Sequence, residues 1–351
     1  MSVGAGRRVL VASMRDEAIF LLEWLAFHRL VGFNEVMLFT NDCSDGTDAM
    51  ADRLQALGLL RHFPNPVEGQ QRPQGRALSR IRKERMLDGA DWVMGLDADE
   101  FLNIHAGAGT LDDLTAAVPE ADAFFLNWRH YGDPDRIAWE PGLVLSQFTR
   151  ASRPRDPQNS SVKTLFRRPE VYRQYLVHVP WDPHPEEGLR VVNGSGRPVE
   201  GVFGRTVAQA IRLTGDERGT DLAQVNHYAT KSLEAYVMKK MRGTGDNTPI
   251  RADRAYWETR NRVVKSERSI LRHLPALTEA REALLADPEL AALQARAEAW
   301  FGGRIAEART AGLVTLDALD RELDPRGRAA RDAFEAPVAR ARRWLRRRRR
   351  G

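Results

Sequence analysis

The chain has a single cysteine, Cys43, in 351 residues. That excludes an intramolecular disulfide and any cysteine-built zinc cluster, and it suits a reducing compartment. No run reaches the roughly 18 apolar residues that crossing a bilayer takes. Met1 to Arg8 has no apolar core of the leader type, so the sequence reads as cytoplasmic. A GxxxxGK[ST] phosphate loop is also missing. Lysine is scarce, at six of the 53 basic residues. Positive charge is concentrated rather than spread. Arg340, Arg342, Arg343 and Arg346 to Arg350 supply eight charges, and without them the formal +5 becomes −3. The body therefore lacks the general basic surface of a nucleic-acid-binding protein, and nucleic acid is not an expected partner.

What is present is a 42% apolar content, sufficient for a substantial core in one large domain plus an appendage. Arg8 to Ser13 reads as a buried strand. Asp16 to Leu30 carries Ile19, Phe20, Leu22, Trp24, Leu25 and Phe27 at helical spacing, and Gly32 ends it. Glu35–Thr40 is a second strand, Asp48–Leu57 a helix, Leu59–Phe63 a third strand, Arg76–Leu87 a basic helix and Trp92–Leu96 a fourth strand. This alternation argues for a parallel, Rossmann-like sheet covered by helices on both faces. Further strands are expected at Ala123–Trp128, Leu143–Phe148 and Ser161–Arg167. Residues 178–204, rich in Pro and Gly, read as loop-rich, Leu233–Met241 as a helix, and helices dominate from about Ser266.

The fourth strand ends in Asp97-Ala98-Asp99-Glu100. On an extended chain residues i and i+2 share a side, so Asp97 and Asp99 can converge. Two carboxylates at a strand's C-terminal edge suit a hard divalent cation holding a diphosphate. A solvated acidic turn is the other reading. Two more polar loops follow the first and second strands: Met14-Arg15-Asp16-Glu17 and Asn41-Asp42-Cys43-Ser44-Asp45-Gly46-Thr47. Each reads equally as a helix cap. Far downstream, half of the six lysines (Lys231, Lys239 and Lys240) gather just after His227. A neutral imidazole can complete an oxygen-dominated metal shell, and lysines can neutralise phosphate.

In order, these segments resemble the GT-A-fold glycosyltransferases, specifically the family 2-like group that also resembles family 92. The match runs through Met14–Ala18 and Leu22–Gly32, the Asn41–Thr47 loop, Leu96-Asp97-Ala98-Asp99-Glu100-Phe101 and Trp128-Arg129-His130-Tyr131-Gly132. Lys163 with His178 and the block from His227 through Lys231, Lys239, Arg242 and Gly243 complete it. It covers about residues 7 to 245, with Asp16 where many relatives have Asn and Tyr131 where Phe is expected. The resemblance implies a GT-A Rossmann-like mixed sheet over residues 1–245, followed by a helical extension at 246–336 and an Arg-rich tail at 337–351. It implies a nucleotide-sugar donor and a hydroxyl acceptor, with inversion at the anomeric carbon and use in polysaccharide or glycoconjugate synthesis.

By position, Asp99 would ligate Mn2+ or Mg2+, with Asp97 and His227 completing the metal set, while Asp97 would also hold the ribose or a metal-bound water. Asp16, Glu17, Asp42 and Asp45 would border base and ribose. Lys163 and Arg242 belong to the same substrate-binding set, and Lys231 or Lys239 would approach the diphosphate. Asp133, after the Trp128–Gly132 loop, is the expected catalytic base, and Glu100 is the second candidate. Two other readings compete: a metal-dependent nucleotidyl- or phosphotransferase, and a non-catalytic protein binding anionic surfaces through its tail. The run Arg340–Arg350 suits a peripheral contact with an anionic leaflet, while an acidic polymer would attract it equally and a solvated tail needs no partner.

Overall fold

The structure is a computed structural model and describes residues 6–66, 72–184, 188–242 and 253–320. The arginine run, Gly243 and the expected boundary near residue 245 lie outside the described residues. Val9, Leu10 and Val11 form the continuous apolar run of a strand covered on both faces. β1 (Arg8–Met14) pairs in parallel with β2 (Glu35–Thr40), β2 with β3 (Arg61–Pro64), and β1 on its other side with β4 (Trp92–Gly95).

Past β4 the sheet turns antiparallel. After β5 (Glu100–Ile104) come β6 (Ala123–Gly132), β7 (Arg150–Ala151) and β8 (Val162–Phe166). β4 pairs with β8, β8 with β6, and β6 with β7. β9 (Tyr172–Tyr175) and β10 (Pro180–Pro183) form a separate hairpin at the edge of the loop-rich stretch 178–204. β11 (Val191–Asn193) runs parallel to the first half of β6, and β12 (Ala223–Lys231) parallel to its second half and antiparallel to β5. β13 (Lys265–Ser266) closes on β7. The result is the GT-A Rossmann-like mixed sheet that the motif order implied.

Alternation along β1 divides the interior into two layers. Leu10, Ala12 and Met14 face the layer of α1 (Ala18–Leu30) and α2 (Thr47–Ala56). Val9 and Val11 face α3 (Pro73–Lys83) and the aromatic residues Tyr172 and Tyr175. α1 is apolar almost all round, and helices of that kind are buried on every side. The sheet covers one side of it; α9 (Leu274–Leu285) and α10 (Pro288–Thr310) cover another. In between lie α4 (Leu111–Ala117), α5 (Val144–Gln147), α6 (Val207–Ala210), α7 (Leu233–Arg242) and α8 (Arg254–Arg260), with α11 (Leu316–Leu319) after α10.

The spacing of Leu290, Leu293, Ala297, Phe301, Ile305 and Ala308 gives α10 a seam of buried side chains. Each large member contributes about 1.5–3 kcal/mol by leaving water. Asp287 caps the helix, accepting from the Glu289 and Leu290 amides, with Pro288 at the first position.

The expected strand at Leu143–Phe148 is instead a short helix, α5. Its first two free amides, Val144 and Leu145, donate to the buried Glu23 carboxylate of α1 at 2.7 and 3.0 Å. A partner 121 residues away satisfies a helix terminus there, and local apolar content does not reveal it. Among the described residues no helix is long and apolar enough to cross a membrane.

Candidate active site

Parallel strands end in loops whose freed polar groups must find partners, and these loops build the site. The backbone does not stay extended through Asp97-Ala98-Asp99; residues 98 and 99 form a turn before β5. The two carboxylates consequently diverge. Asp97 Oδ1 accepts from the Gln74 amide at 2.8 Å and Oδ2 from Lys163 Nζ at 2.9 Å. Asp99 Oδ2 accepts from Lys239 Nζ at 2.6 Å and lies 3.6 Å from His227 Nε2. Convergence by i, i+2 alternation is thus corrected: the turn reverses the direction in which the second aspartate points. Burial opposes charge on both aspartates, but Lys163 holds Asp97 below the ordinary carboxylate range, and Lys239 with His227 holds Asp99 well below it.

Glu100 is completely buried. Its Oε2 accepts from the Asp97 amide at 2.8 Å and lies 3.1 Å from Lys163 Nζ. Burial raises its carboxyl to about 8 despite Lys163, and Oε1 has no partner. The Trp24 indole donates to the carbonyls of Asp97 and Glu100 at 3.0 and 3.1 Å, clamping the turn from below. A group sealed in this way cannot reach an acceptor hydroxyl, so Glu100 is corrected from candidate base to support for the turn.

His227 sits on β12 against Trp128, with ring centroids 4.2 Å apart, and 5.1 Å from the ring of His130. Burial lowers its affinity for protons although Asp99 opposes this, and its Nδ1 is buried without a partner. Asp99 Oδ2 thus lies 3.6 Å from His227 Nε2 with Lys239 already donating to it, and a carboxylate and an imidazole are donor types that Mn2+ or Mg2+ accepts. Asp97 does not join them. Among the described residues no three His, Cys, Asp or Glu side chains form a cluster able to hold a metal. The expected set of Asp97, Asp99 and His227 is therefore not gathered into one cluster: Lys163 and Gln74 hold the Asp97 oxygens, and Lys239 holds Asp99 Oδ2.

The loops after β1 and β2 are tied together. Asp16 and Asp42, like Lys231 at the end of β12, have left-handed backbones, at φ 50°, 48° and 56°. Non-glycine residues adopt that region at a cost of order 1–3 kcal/mol, typically where a site demands it. Asp16 Oδ1 accepts from the Ser44 amide at 2.6 Å. Asp45 accepts from the Ala18 amide at 2.8 Å and from the Thr47 amide and hydroxyl, which caps α1 from the neighbouring loop. The Asp45 carboxylate is therefore spent on the scaffold, which corrects its expected contact with substrate. Arg242 pairs with Glu17 at 2.5 Å and donates to the Arg15 and Asp16 carbonyls. Asp42 is exposed at the crest of its loop. Nearby, Ser13 Oγ and Asn41 Oδ1 are buried without hydrogen-bond partners, open positions for a polar ligand.

Two hollows flank the turn. A small one of about 50 Å³ is lined by Ser13, Gln74, Asp97 and Lys163. The larger, about 350 Å³, is lined by Arg15, Asp16, Glu17, Lys231, Lys239 and Arg242, with residues of α10. Asp133 lies at the end of β6 in ion pairs shared with Asp135 through Arg150, 2.9 Å from the guanidinium, and lines neither hollow. Gln74, Trp24 as a clamp and the α10 residues were absent from the sequence-based set. Trp24 stands within the quoted motif, but nothing local marks its target.

No family model matches the chain. Over 185 residues it is 23% identical to a glycosyltransferase family 92 protein of Oryza sativa subsp. japonica, covering 51% of this chain and 30% of that protein. The chain thus spans about a third of the length of the curated relative. Among solved structures, S. aureus TarS overlaps 86% of this chain and 55% of its own at 14% identity and a TM-score of 0.35. Glucosyl-3-phosphoglycerate synthase from Mycobacterium tuberculosis, solved with Mn2+ and uridine diphosphate, overlaps 35% and 44% at 15% identity and a TM-score of 0.23. Overlaps of that extent say nothing about chemistry. The chain is thus similar in sequence to a glycosyltransferase family 92 protein and has a Rossmann-like mixed sheet flanked by helices.

Proposed function

We propose that the chain moves a sugar from a nucleotide diphosphate sugar to an acceptor hydroxyl, inverting the anomeric carbon, with Asp99 and His227 holding Mn2+ or Mg2+. One observation carries the reading: the acidic turn splits, with Asp97 on the side of Ser13 and Gln74 and Asp99 on the side of His227 and Lys239. A nucleotide sugar needs that division, a hydrogen-bonding end for the nucleoside and a cationic centre for the diphosphate, at the C-terminal ends of parallel strands.

In this reading Asp97, Ser13 and Asn41 face the nucleoside, and Asp16 and Asp42 border it. Lys239 adds positive charge at the diphosphate. The bound cation supplies neutralisation of the charge that builds as the glycosidic bond breaks. Asp133, the expected base, is paired with Arg150 and lines neither hollow, so it takes no part in this reading. The name of the rice relative supports the class. The Arg340–Arg350 run is the segment suited to an anionic membrane surface near such acceptors, a role that loss of vesicle binding on deleting residues 338–351 would test.

The test is a panel of nucleotide diphosphate sugars with Mn2+, following release of nucleotide diphosphate. At least one donor is expected to be hydrolysed or consumed, and Asp99→Asn to lower the rate by on the order of 100-fold. Silence with every common donor, or turnover of a nucleoside triphosphate instead, overturns the reading.

A further inference from the structure

The 350 Å³ hollow extends from Lys239 to α10, a helix in a region where the sequence shows no motif. Its walls combine the apolar Phe20, Met238 and Trp300 with the cationic Arg15, Lys231 and Arg304, and the carboxylates of Asp16 and Glu17 also line it. Two neighbouring cations are committed elsewhere, since Lys239 is held by Asp99 and Arg242 by Glu17. Lys231 differs. It is only 6% exposed, its ammonium lies 4.4 Å from the centre of the Phe20 ring, and it forms no ion pair among the described residues. Burial lowers it to about 8, although Asp99 opposes this. Arg15 comes no nearer to a carboxylate than 3.9 Å, to Asp16, and its Nε is buried without a partner. Arg304 is partly exposed and pairs with Glu307 one turn further along α10. A buried lysine without an ion pair, whose neighbouring acids Asp99 and Glu17 are held by Lys239 and Arg242, and which faces a hollow of ligand size, calls for an anion. The aromatic and methionine surface beside it suits the C–H face of a sugar ring.

On the reading of the chain as a glycosyltransferase, we propose that this hollow is the acceptor subsite and takes a saccharide bearing a phosphate or carboxylate. The ring lies against Trp300 and the anion among Lys231, Arg15 and Arg304. α10 is thereby a specificity element contributed by the C-terminal helices.

The experiment titrates the full chain by calorimetry, without metal, with glucose, glucose 6-phosphate and glucuronic acid. In parallel, uridine and guanosine diphosphates are titrated with Mn2+. Either anionic sugar is expected to bind at least about tenfold tighter than glucose, a difference that charge-assisted hydrogen bonds readily supply. The phosphate and carboxylate arms identify which anion is preferred. Arg304→Gln should weaken the anionic sugar by about fivefold and leave glucose unchanged, and Trp300→Leu should weaken both sugars, with nucleotide affinity within about twofold in each variant. Equal binding of neutral and anionic sugars, indifference to both substitutions, or displacement of the sugar by uridine diphosphate overturns the subsite. Absence of nucleotide binding by the unsubstituted chain strikes the glycosyltransferase reading alone.

Discussion

Replacing Lys163 by methionine removes the charge that holds the acidic turn together. The ammonium is 1% exposed and bridges Asp97 at 2.9 Å and Glu100 at 3.1 Å. Methionine fills most of the volume, so the change isolates charge from packing. Removing one partner from a buried ionic cluster costs about 3–5 kcal/mol. At roughly 2 °C per kcal/mol for a chain of this size, the melting temperature should fall by about 6–10 °C.

The pH dependence gives a second, signed test. The Glu100 carboxyl is at about 8 in the fold against 4.5 for the ordinary group. Between those values the folded chain keeps a proton that the unfolded chain has released, so this group's contribution makes stability fall as pH rises from 4.5 to 8. Without Lys163 the ionised form of Glu100 is disfavoured further, and the loss in Lys163→Met should steepen toward alkaline pH. Urea unfolding followed by tryptophan fluorescence at pH 6 and pH 9 measures both effects; the Trp24 indole, bonded to the turn itself, contributes to the signal. Adding Glu100→Leu to Lys163→Met should recover more than half of the loss at pH 9. A loss below about 1 kcal/mol that does not vary with pH, or a double variant no better than the single one, refutes the buried bridge.

Two other expectations follow from the same geometry. His227→Ala should weaken Mn2+ binding, read by electron paramagnetic resonance of the free ion, by about 10-fold or more, while Asp97→Asn should change it little because Lys163 and Gln74 already occupy that carboxylate. Glu23, raised by burial to about 7, holds α5 through two amides; Glu23→Gln turns a donor toward one of them and should cost about 1–3 kcal/mol by urea unfolding at pH 8, where the native carboxylate is charged.

Much of the scaffold could be read locally. The apolar runs of β1 and β4 and the helical spacing of α1 depend on neighbours a few residues away, and Glu35–Thr40 matches β2 residue for residue. The sequence also pointed to Asp99 and His227 as partners. What it could not show depends on contacts far along the chain. α5 takes its form from Glu23, and the divergence of Asp97 from Asp99 follows from a turn that an alternating pattern conceals. Asp45 looks like a loop acid open to ligand but bonds to the start of α1, 27 residues back. The α10 contribution was hidden because Trp300 and Arg304 occupy ordinary helical positions and acquire meaning only from packing beside Phe20 and Lys231.

The dual pairing of β6 has a consequence for how the molecule is made. Its first half joins β8, so the Asp97 wall is complete once residue 163 has joined the sheet. Its second half waits for β12, and the carboxylate of Asp99 waits for Lys239, 140 positions later. Pairings of such separation form late, after the entropy of a long loop has been overcome. During synthesis, therefore, the half that carries Asp97 matures first. The carboxylate of Asp99 stays uncompensated by Lys239 until α7 has left the ribosome and docked, and the larger hollow waits longer still, for α10.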